Sequence, residues 1–529
     1  MRKKIYFMVM FLIGIATDLS AQDAAFYKKY ADKGDKEAMY NLAECYLYGT
    51  GGVQQDYNAA TEWLTKAVKK NYSPALVKLS HCYLYGAGVM KDYKQAWVLA
   101  NKAAKNAYPE AHYLIGQMYK DGLFVPQNLN QWWTWTRSAA DLGYAVAEKD
   151  LGYVYLYGLE SLKIQQDFDS ALTWLNRAAS KGNSDALTYL GVCYQYGAGV
   201  PENIQTAMKY YIEAANAGNS QAQCEVGRAY LTGNGVTVDY NEAHKYINAA
   251  CQQENPQGYK LAGDVYYYGI GVETDINEAA VWYQKAVDAE YIEAYPDLAA
   301  MYIYGTGGMQ ENESKGFELY KKAADADVMG GYAGLGMCYE FGYGVSKNLY
   351  SAAQNYIKAA EKGNNYSQYH LYMMYKDGNG VTKDTAKALQ YLREAADEDY
   401  NPAIYRLGLE YWTGELLHQE IPSALKYMEK AADNGYTFAA GVLGTIYYSG
   451  YNEVPKDYNK AFKYLSQAAQ ESSEMGDGLA SEVYRDLGAC YRFGRGTEIN
   501  HSLASYYTEQ AAKYGDEGSF DAVNALRNE

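Results

Sequence analysis

Residues 186–207 read ALTYLGVCYQYGAGVPENIQTA, and this stretch decides the fold. Leu190 and Tyr194 are four residues apart, so a helix would place both side chains on one face. Gly191 lies beside that face and leaves room for another helix to approach closely. The first half of the stretch therefore predicts a helix with one packed side.

The second half of the stretch predicts a turn and a second helix. Gly197 and Gly199 interrupt the helical pattern, since glycine adopts the positive φ of a tight turn. Asn203 is a residue type that caps the start of a helix, and Ala207 opens the apolar stripe of that helix. We therefore predict that residues 186–207 form a helical hairpin.

The hairpin pattern recurs along the chain at a near-constant interval. Eight of the twelve spacings between repeat glycines equal 36 residues. A tyrosine precedes each of these glycines by three residues, and an alanine follows each cap position by eleven. The thirteen repeat glycines are Gly49, Gly86, Gly122, Gly158, Gly197, Gly233, Gly269, Gly305, Gly342, Gly378, Gly414, Gly450 and Gly494.

A period of this length predicts stacked repeats, because one hairpin cannot bury its apolar stripes alone. The predicted fold is all-α: an α/α superhelical solenoid of about thirteen 36-residue helix-turn-helix repeats with half-repeat caps. We assign residues 1–21 to a signal peptide and 22–36 to an N-terminal capping helix. Residues 37–515 hold the repeats, and 516–529 form a C-terminal capping helix.

The consensus A-x-x-x-L-G-x-x-Y-x-x-G-x-G-V-x-x-D-x-x-x-A, with Asn203 in place of Asp in the stretch quoted above, resembles the Sel-one-like repeat family. That family is related to the tetratricopeptide repeats, and the resemblance covers nearly the whole chain after residue 21. The resemblance implies an adaptor or scaffold for protein partners, in signalling, quality control, envelope biogenesis or host interaction.

The N-terminus predicts export. Residues 2–4 are basic, residues 5–15 are an apolar run, and Ser20 and Ala21 precede a plausible cleavage point. The apolar run is shorter than the ~20 residues that span a bilayer. We therefore expect a periplasmic or secreted protein of bacterial origin, with no membrane span once the signal is removed.

Charge and motif content argue against nucleic acid and against catalysis. The formal net charge is −16, and no basic cluster follows residue 4. The histidines and cysteines show no ligand spacing, and no nucleophile or phosphate-loop motif occurs. We predict no enzyme activity, no cofactor and no metal site. Five cysteines share one position, four residues before the repeat glycine, and we expect them to be small buried apolar residues.

The partner site is expected where the repeat varies. In the first helix of each repeat, positions −9, −5 and −2 relative to the glycine vary widely and share a face. In similar solenoids the first helices line the concave surface, so we predict a groove there for a peptide or an extended protein segment. The candidate residues are Tyr40, His81, Tyr113, Tyr153, Arg228, Tyr267, Tyr369, Tyr405, Trp412 and Tyr448.

Two other functions stay open. Exposed Tyr and Trp could stack on the sugar rings of a cell-envelope glycan, and a cell-wall enzyme would need convergent titratable groups in one pocket. The insertion at 471–482 is a second candidate binding region, because insertions in solenoids often map to a functional face.

Overall fold

The computed structural model describes residues 24–451, 453–471 and 475–515. Within these residues it contains twenty-seven α-helices and no β-strand, which confirms the predicted all-α repeat solenoid. The predicted signal peptide, the predicted C-terminal capping helix and part of the 471–482 insertion lie outside the described residues. Two compact units, Met1–Ala262 and Gly263–Glu529, divide the chain.

Helix α1 (Ala24–Ala31) lies in the segment assigned to the N-terminal cap and packs against the first helix of the first repeat. Each repeat then contributes an even-numbered first helix and an odd-numbered second helix. The first helices are α2 Lys36–Tyr48, α4 Ser73–Tyr85, α6 Pro109–Asp121, α8 Ala145–Tyr157, α10 Ser184–Tyr196, α12 Ser220–Thr232, α14 Pro256–Tyr268, α16 Tyr295–Tyr304, α18 Met329–Phe341, α20 Asn365–Asp377, α22 Asn401–Thr413, α24 Thr437–Ser449 and α26 Asp477–Phe493. The second helices are α3 Tyr57–Lys69, α5 Tyr93–Ala104, α7 Leu129–Asp141, α9 Phe168–Ala179, α11 Ile204–Asn216, α13 Tyr240–Gln252, α15 Ile276–Asp288, α17 Glu313–Asp325, α19 Leu349–Glu361, α21 Thr385–Asp397, α23 Ile421–Asp433, α25 Tyr458–Ala468 and α27 His501–Lys513.

The turn between the two helices of a repeat depends on glycine. Gly86 ends α4 at φ 76°, and its N–H donates to the carbonyl of Cys82, as in a left-handed helix cap. A Cβ on Gly88 would lie 2.0 Å from the carbonyl oxygen of Tyr57, so only glycine lets the turn pass the preceding second helix. Asp92 then accepts hydrogen bonds from the backbone of α5 and starts that helix.

The core consists of alanines, leucines and tyrosines at the repeated positions. In several repeats, a buried tyrosine of the second helix packs its ring against a glycine of the first helix. Tyr211 faces Gly191 in this way, and Tyr356 faces Gly336. The hydroxyl group of Tyr211 keeps a hydrogen-bond partner near the solvent: it donates to Gln195 at 2.8 Å. In these repeats, packing of the tyrosine ring on the glycine therefore holds the two helices of the hairpin together.

Two turns depart from the pattern, and both follow longer or altered sequences. Gly158 has ψ 170° in place of the usual left-handed value, and Leu159 pairs with Ile164 across the longer turn. Gly450 has ψ 121°, and Tyr451 pairs with Val454. The extra residues in these repeats are therefore accommodated in the turn, not in a helix.

The repeated cysteine position is buried, as expected. Cys82, Cys193, Cys338 and Cys490 are 3% exposed or less and form no disulfide. Burial raises the pKa of the Cys82 and Cys193 thiols to about 11. These thiols remain protonated at neutral pH and serve as apolar packing residues.

Candidate protein-binding face

Positions −9 and −2 of the first helices are only partly exposed. Val77 and Cys224 at −9 are buried, and so are Leu84 and Ile303 at −2. Consecutive first helices contact one another within each unit, and side chains at these positions fill the space between them. Much of the predicted −9/−5/−2 face is therefore packing surface.

Tyr40 and Tyr113 are half-buried and hydrogen-bonded. The Tyr40 hydroxyl donates to Oε1 of Glu44 at 2.8 Å, and the Tyr113 hydroxyl donates to Oδ2 of Asp150 at 2.8 Å. Burial, together with the adjacent carboxylate, raises the pKa of both phenols above the usual range. These tyrosines fix acidic side chains between neighbouring first helices.

His81 and Arg228 are held by acidic neighbours. His81 Nε2 lies 4.0 Å from Oε1 of Glu110, and Arg228 Nη1 lies 3.4 Å from Oε2 of Glu225. Burial, with the charge of Lys78, lowers the pKa of His81 to about 4. His81 is therefore neutral at physiological pH.

Tyr153 belongs to an exposed cluster of rings. Its ring centroid is 4.9 Å from that of Tyr157 and 5.3 Å from that of Tyr189 in the next repeat. Tyr196, at the end of α10, is 72% exposed. This part of unit 1 presents aromatic surface that no neighbouring helix covers.

In unit 2, Tyr267 is exposed and packs against the adjacent Tyr268, with ring centroids 4.9 Å apart. Tyr369 is half-buried between Tyr372 and Tyr400. The Tyr448 hydroxyl accepts a hydrogen bond from the Arg495 guanidinium.

Tyr405 and Trp412 differ in accessibility. Tyr405 is only 8% exposed and packs against Tyr436 and Phe438, so the expectation that it is a surface anchor is wrong. Trp412 stacks on Tyr451 with centroids 5.9 Å apart and keeps a partly exposed ring. The ten candidates are divided between the two units, and each contacts residues outside the set.

The position that sequence reasoning missed is −1, the last residue of the first helix. It is aromatic in eight of the thirteen repeats, and seven of those rings are exposed. The recurrence of rings at this position is visible in the sequence, whereas their exposure depends on how the helices pack. The eight rings are Tyr48, Tyr85, Tyr157, Tyr196, Tyr268, Tyr304, Phe341 and Phe493.

Position −1 shares a helix face with positions −5, −8 and −12. Contacts such as His81 with Tyr85 and His81 with Glu110 show that these positions meet within a repeat and across to the next one. We call positions −12, −8, −5 and −1 the ring face. Carboxylates outnumber Lys and Arg by eleven to three at its −12, −8 and −5 positions. The ring face therefore combines exposed aromatic rings with negative charge.

In unit 2 the ring face contains a cavity of about 400 Å³. Six of its sixteen lining residues are tyrosines, and Asp297 is the ionisable carboxyl group among them. Three of the tyrosines, Tyr267, Tyr268 and Tyr304, are exposed, whereas Tyr283 and Tyr320 are buried. Its size is within the range of small-ligand pockets.

Two positions that have side chains in most repeats are glycines at this cavity. Helix α18 has Gly330 at position −12 and Gly334 at position −8, where most repeats carry larger residues. A Cβ on Gly330 would lie 3.0 Å from the ring of Pro296, and one on Gly334 would lie 2.1 Å from Tyr320. The glycines thus admit the neighbouring helices and leave open space between tyrosine rings.

A second cavity, of about 500 Å³, lies on the α23 side of unit 2. Two of its charged residues pair with each other: Lys460 Nζ is 2.7 Å from Oε1 of Glu429, and the Tyr447 hydroxyl donates to the same oxygen at 2.6 Å. Across the described ranges, no three His, Cys, Asp or Glu side chains converge as metal ligands would. Nor does any helix there have the length and hydropathy to cross a membrane.

Comparison with known proteins identifies the repeat. The family pattern of the Sel1 repeat matches thirteen times, at residues 36–72, 73–108, 109–144, 145–183, 184–219, 220–255, 259–291, 292–328, 331–364, 365–400, 401–436, 438–473 and 481–516. The chain therefore belongs to the Sel1 repeat family, as its sequence pattern predicted. Proteins of this family generally act as scaffolds for protein–protein interaction, and the fold is typically non-catalytic.

One solved structure agrees on the fold over nearly the whole chain. The chain is similar to c5321, a protective antigen of uropathogenic Escherichia coli with an SLR fold, at 24% identity and a TM-score of 0.54, covering 96% of this chain and 97% of that one. A Sel1 repeat protein from Oxalobacter formigenes is 31% identical, with a TM-score of 0.43, over 48% of this chain and all of that one.

One curated relative also matches over a short stretch. It is the ERAD-associated E3 ubiquitin-protein ligase component HRD3A of Arabidopsis thaliana, 33% identical over 67 residues, which is 13% of this chain. The match spans 10% of that relative's length.

Proposed function

We propose that this chain is an exported, non-enzymatic scaffold that binds an extended segment of a partner protein along its first helices. The observation that carries the proposal is the ring face, where exposed aromatic side chains recur at position −1. Exposed Tyr and Trp are typical anchors of protein interfaces, because they bury a large area at low entropic cost. Of the residues predicted from sequence, His81, Tyr153 and Tyr267 contact this set of rings directly.

The spacing of the rings suits an extended partner. Neighbouring repeats that both have a ring at position −1, such as those ending at Tyr157 and Tyr196, place successive anchors at the interval of stacked hairpins, so a partner lying across several first helices could use several anchors. The acidic balance of the ring face favours a partner segment with positive charge and should speed its association.

Site-specific cross-linking tests the proposal. The photo-reactive residue p-benzoylphenylalanine is placed at Tyr196 or Tyr268 in the full chain, in the source organism, and cross-linked proteins are identified by mass spectrometry. Tyr350 is the matched control, because it lies in the first turn of a second helix and is 66% exposed, against 67% for Tyr268. We expect one protein to cross-link from Tyr196 and Tyr268 and not from Tyr350.

Substitution gives a second measure. Tyr196→Ala and Tyr268→Ala should each weaken binding of the cross-linked protein about tenfold or more, as for interface anchors, while Tyr350→Ala should not. Cross-linking from Tyr350 as efficiently as from Tyr268 would overturn the assignment of the face. All three tyrosines are exposed, so loss of fold is not expected and is checked by melting temperature.

A glycan partner is the second candidate, favoured by the exposed cluster of Tyr153, Tyr157 and Tyr189 with Asp150 nearby. Its rings meet at interplanar angles of 52°, 54° and 76°, so they cover one another's faces in part. Sugar stacking needs an open ring face, and this geometry therefore favours a protein partner. Binding of envelope polysaccharide to the wild type, lost in Tyr153→Ala, would support the glycan instead.

Export has its own test. Mass spectrometry of the protein from the periplasmic and culture fractions should find a mature N-terminus at Gln22. An intact Met1 in the cytoplasmic fraction would contradict export.

A further inference from the structure

The cavity in unit 2, which lies among the helices of the ring face, has an unusual combination of groups. Six tyrosine rings surround it, and Asp297 approaches the buried pair Tyr283 and Tyr320. Burial, with the charge of Asp297 adding to it, holds the pKa of both phenols above their usual range. At neutral pH the Tyr283 and Tyr320 phenols are therefore uncharged, and they lie beside the Asp297 carboxyl group.

The lining residues, all within the described part of the chain, include no Lys, Arg or His. The Tyr283 hydroxyl donates to Oδ1 of Asp264 at 2.8 Å. A second carboxyl group, which is not itself part of the lining, therefore lies next to a tyrosine that is. Tyrosine ring faces carry negative electrostatic potential, and a cation placed over them is attracted. The electrostatic character of the cavity is thus negative on several sides.

We propose that this cavity receives an arginine side chain from the partner segment. A guanidinium is planar, so it can lie against the ring of Tyr268 or Tyr304 while donating to Asp297. The inference rests on the proposed function, because it takes the partner to be a protein segment that crosses the ring face. It adds that the segment is basic at the point where it passes α16 and α18.

The opening of the cavity supports this choice of ligand over an apolar one. Tyr304 spans the rim and its hydroxyl lies 3.0 Å from the sulfur of Met337, so a long side chain must pass between polar and apolar groups to enter. Arginine has an apolar stem and a polar head, which suits such a passage. A wholly apolar side chain would meet the Asp297 carboxyl group and the tyrosine hydroxyls of the lining without a polar group of its own to match them.

Saturation-transfer NMR on the full chain tests the proposal. The probe is an acetylated and amidated nine-residue Gly-Ser peptide with one central arginine, and the matched control peptide has citrulline in its place. Citrulline has nearly the shape of arginine but no charge. We expect the arginine peptide to bind at least about tenfold more tightly than the citrulline peptide, with the difference shrinking in 0.5 M salt.

Two variants locate the site. Asp297→Asn removes the charge and keeps the shape, so it should abolish the preference for arginine. Ala300→Lys, on the half-buried wall, should place a competing ammonium in the cavity and lower arginine binding at least about tenfold. Asp185→Asn is the control, since Asp185 is a partly exposed carboxylate at position −12 of unit 1.

Equal binding of the arginine and citrulline peptides would overturn the proposal, as would an arginine preference that survives both variants. These outcomes are separate from failure of the scaffold function. If a partner cross-links at Tyr268 but its binding does not depend on Asp297, the scaffold function stands and the proposed arginine site is wrong. If the cavity prefers arginine but no partner cross-links at Tyr196, the arginine site stands and the extended binding mode is wrong.

Discussion

The ring of Tyr320 occupies the space that a side chain at Gly334 would need: a Cβ on Gly334 would lie 2.1 Å from Cδ1 of the Tyr320 ring. The missing side chain lets α17 and α18 approach and also opens the cavity on the ring face. Packing and site formation therefore depend on the same residue, and a methyl group there should disturb both.

Gly334→Ala should lower the free energy of unfolding by about 1–3 kcal/mol through overpacking, even though alanine in a helix gains about 1 kcal/mol over glycine. Melting temperature measures the loss. Gly478→Ala is the matched control, since a Cβ on that helical glycine would meet no heavy atom within 4 Å, and it should stabilise the protein slightly. Equal effects at the two positions would show that ring contact is not the cause.

Ala107 has φ 51° in the connection between α5 and α6, where the equivalent connection after α7 uses Gly143 at φ 89°. Left-handed backbone costs a residue with a Cβ roughly 1–2 kcal/mol. Ala107→Gly should therefore stabilise the protein, by about 1 kcal/mol once the entropy of the unfolded glycine is subtracted. Thermal unfolding tests this, and Ala103→Gly in the buried stripe of α5 should do the opposite.

Glu420 stands where twelve other repeats have Asp or Asn, and its side chain makes no capping hydrogen bond. Its backbone, at φ −148° and ψ 92°, matches that of the capping Asp384 at φ −150° and ψ 98°. Glu420→Asp should therefore add a cap and stabilise α23 by about 1 kcal/mol. Asp384→Glu should lose a similar amount, and an unchanged urea midpoint in both variants would contradict the argument.

The fold was predictable because its determinants are local. A fixed tyrosine, a fixed glycine and a cap such as Asn203 define each hairpin, and the 36-residue period defines the stacking. The binding face was harder to predict, because exposure depends on how neighbouring first helices pack. Tyr405 and Val77 occupy a variable column yet are buried between helices. The rings at −1 alternate with Asp, Thr and Ser among the repeats, and only the packing of neighbouring helices shows that they are exposed.

The cavity could not be predicted from the sequence, although Gly330 and Gly334 are visible in it. A glycine pair in a helix predicts close approach of another element or a weakened helix, and only the positions of Tyr320 and Pro296 show which. Glu410 is a similar case: it breaks the cysteine column, and the structure shows it buried 3.0 Å from the Arg406 guanidinium.

His81 should make stability depend on pH. Burial and Lys78 lower its pKa in the folded protein to about 4, against an ordinary value near 6.5. Between these values the unfolded chain binds a proton that the folded chain excludes, so stability falls as pH is lowered from 6.5 towards 4. Glu110, which faces His81, acts in the opposite direction, because burial raises the pKa of its carboxyl group.

The comparison that isolates His81 is the change in melting temperature between pH 7 and pH 5. His81→Gln should show a smaller fall than the wild type, because the variant has no group at position 81 that gains a proton on unfolding. His418→Gln removes an exposed histidine and should keep the wild-type fall. If His81→Gln and the wild type lose the same stability over this interval, His81 is not the group that titrates on unfolding.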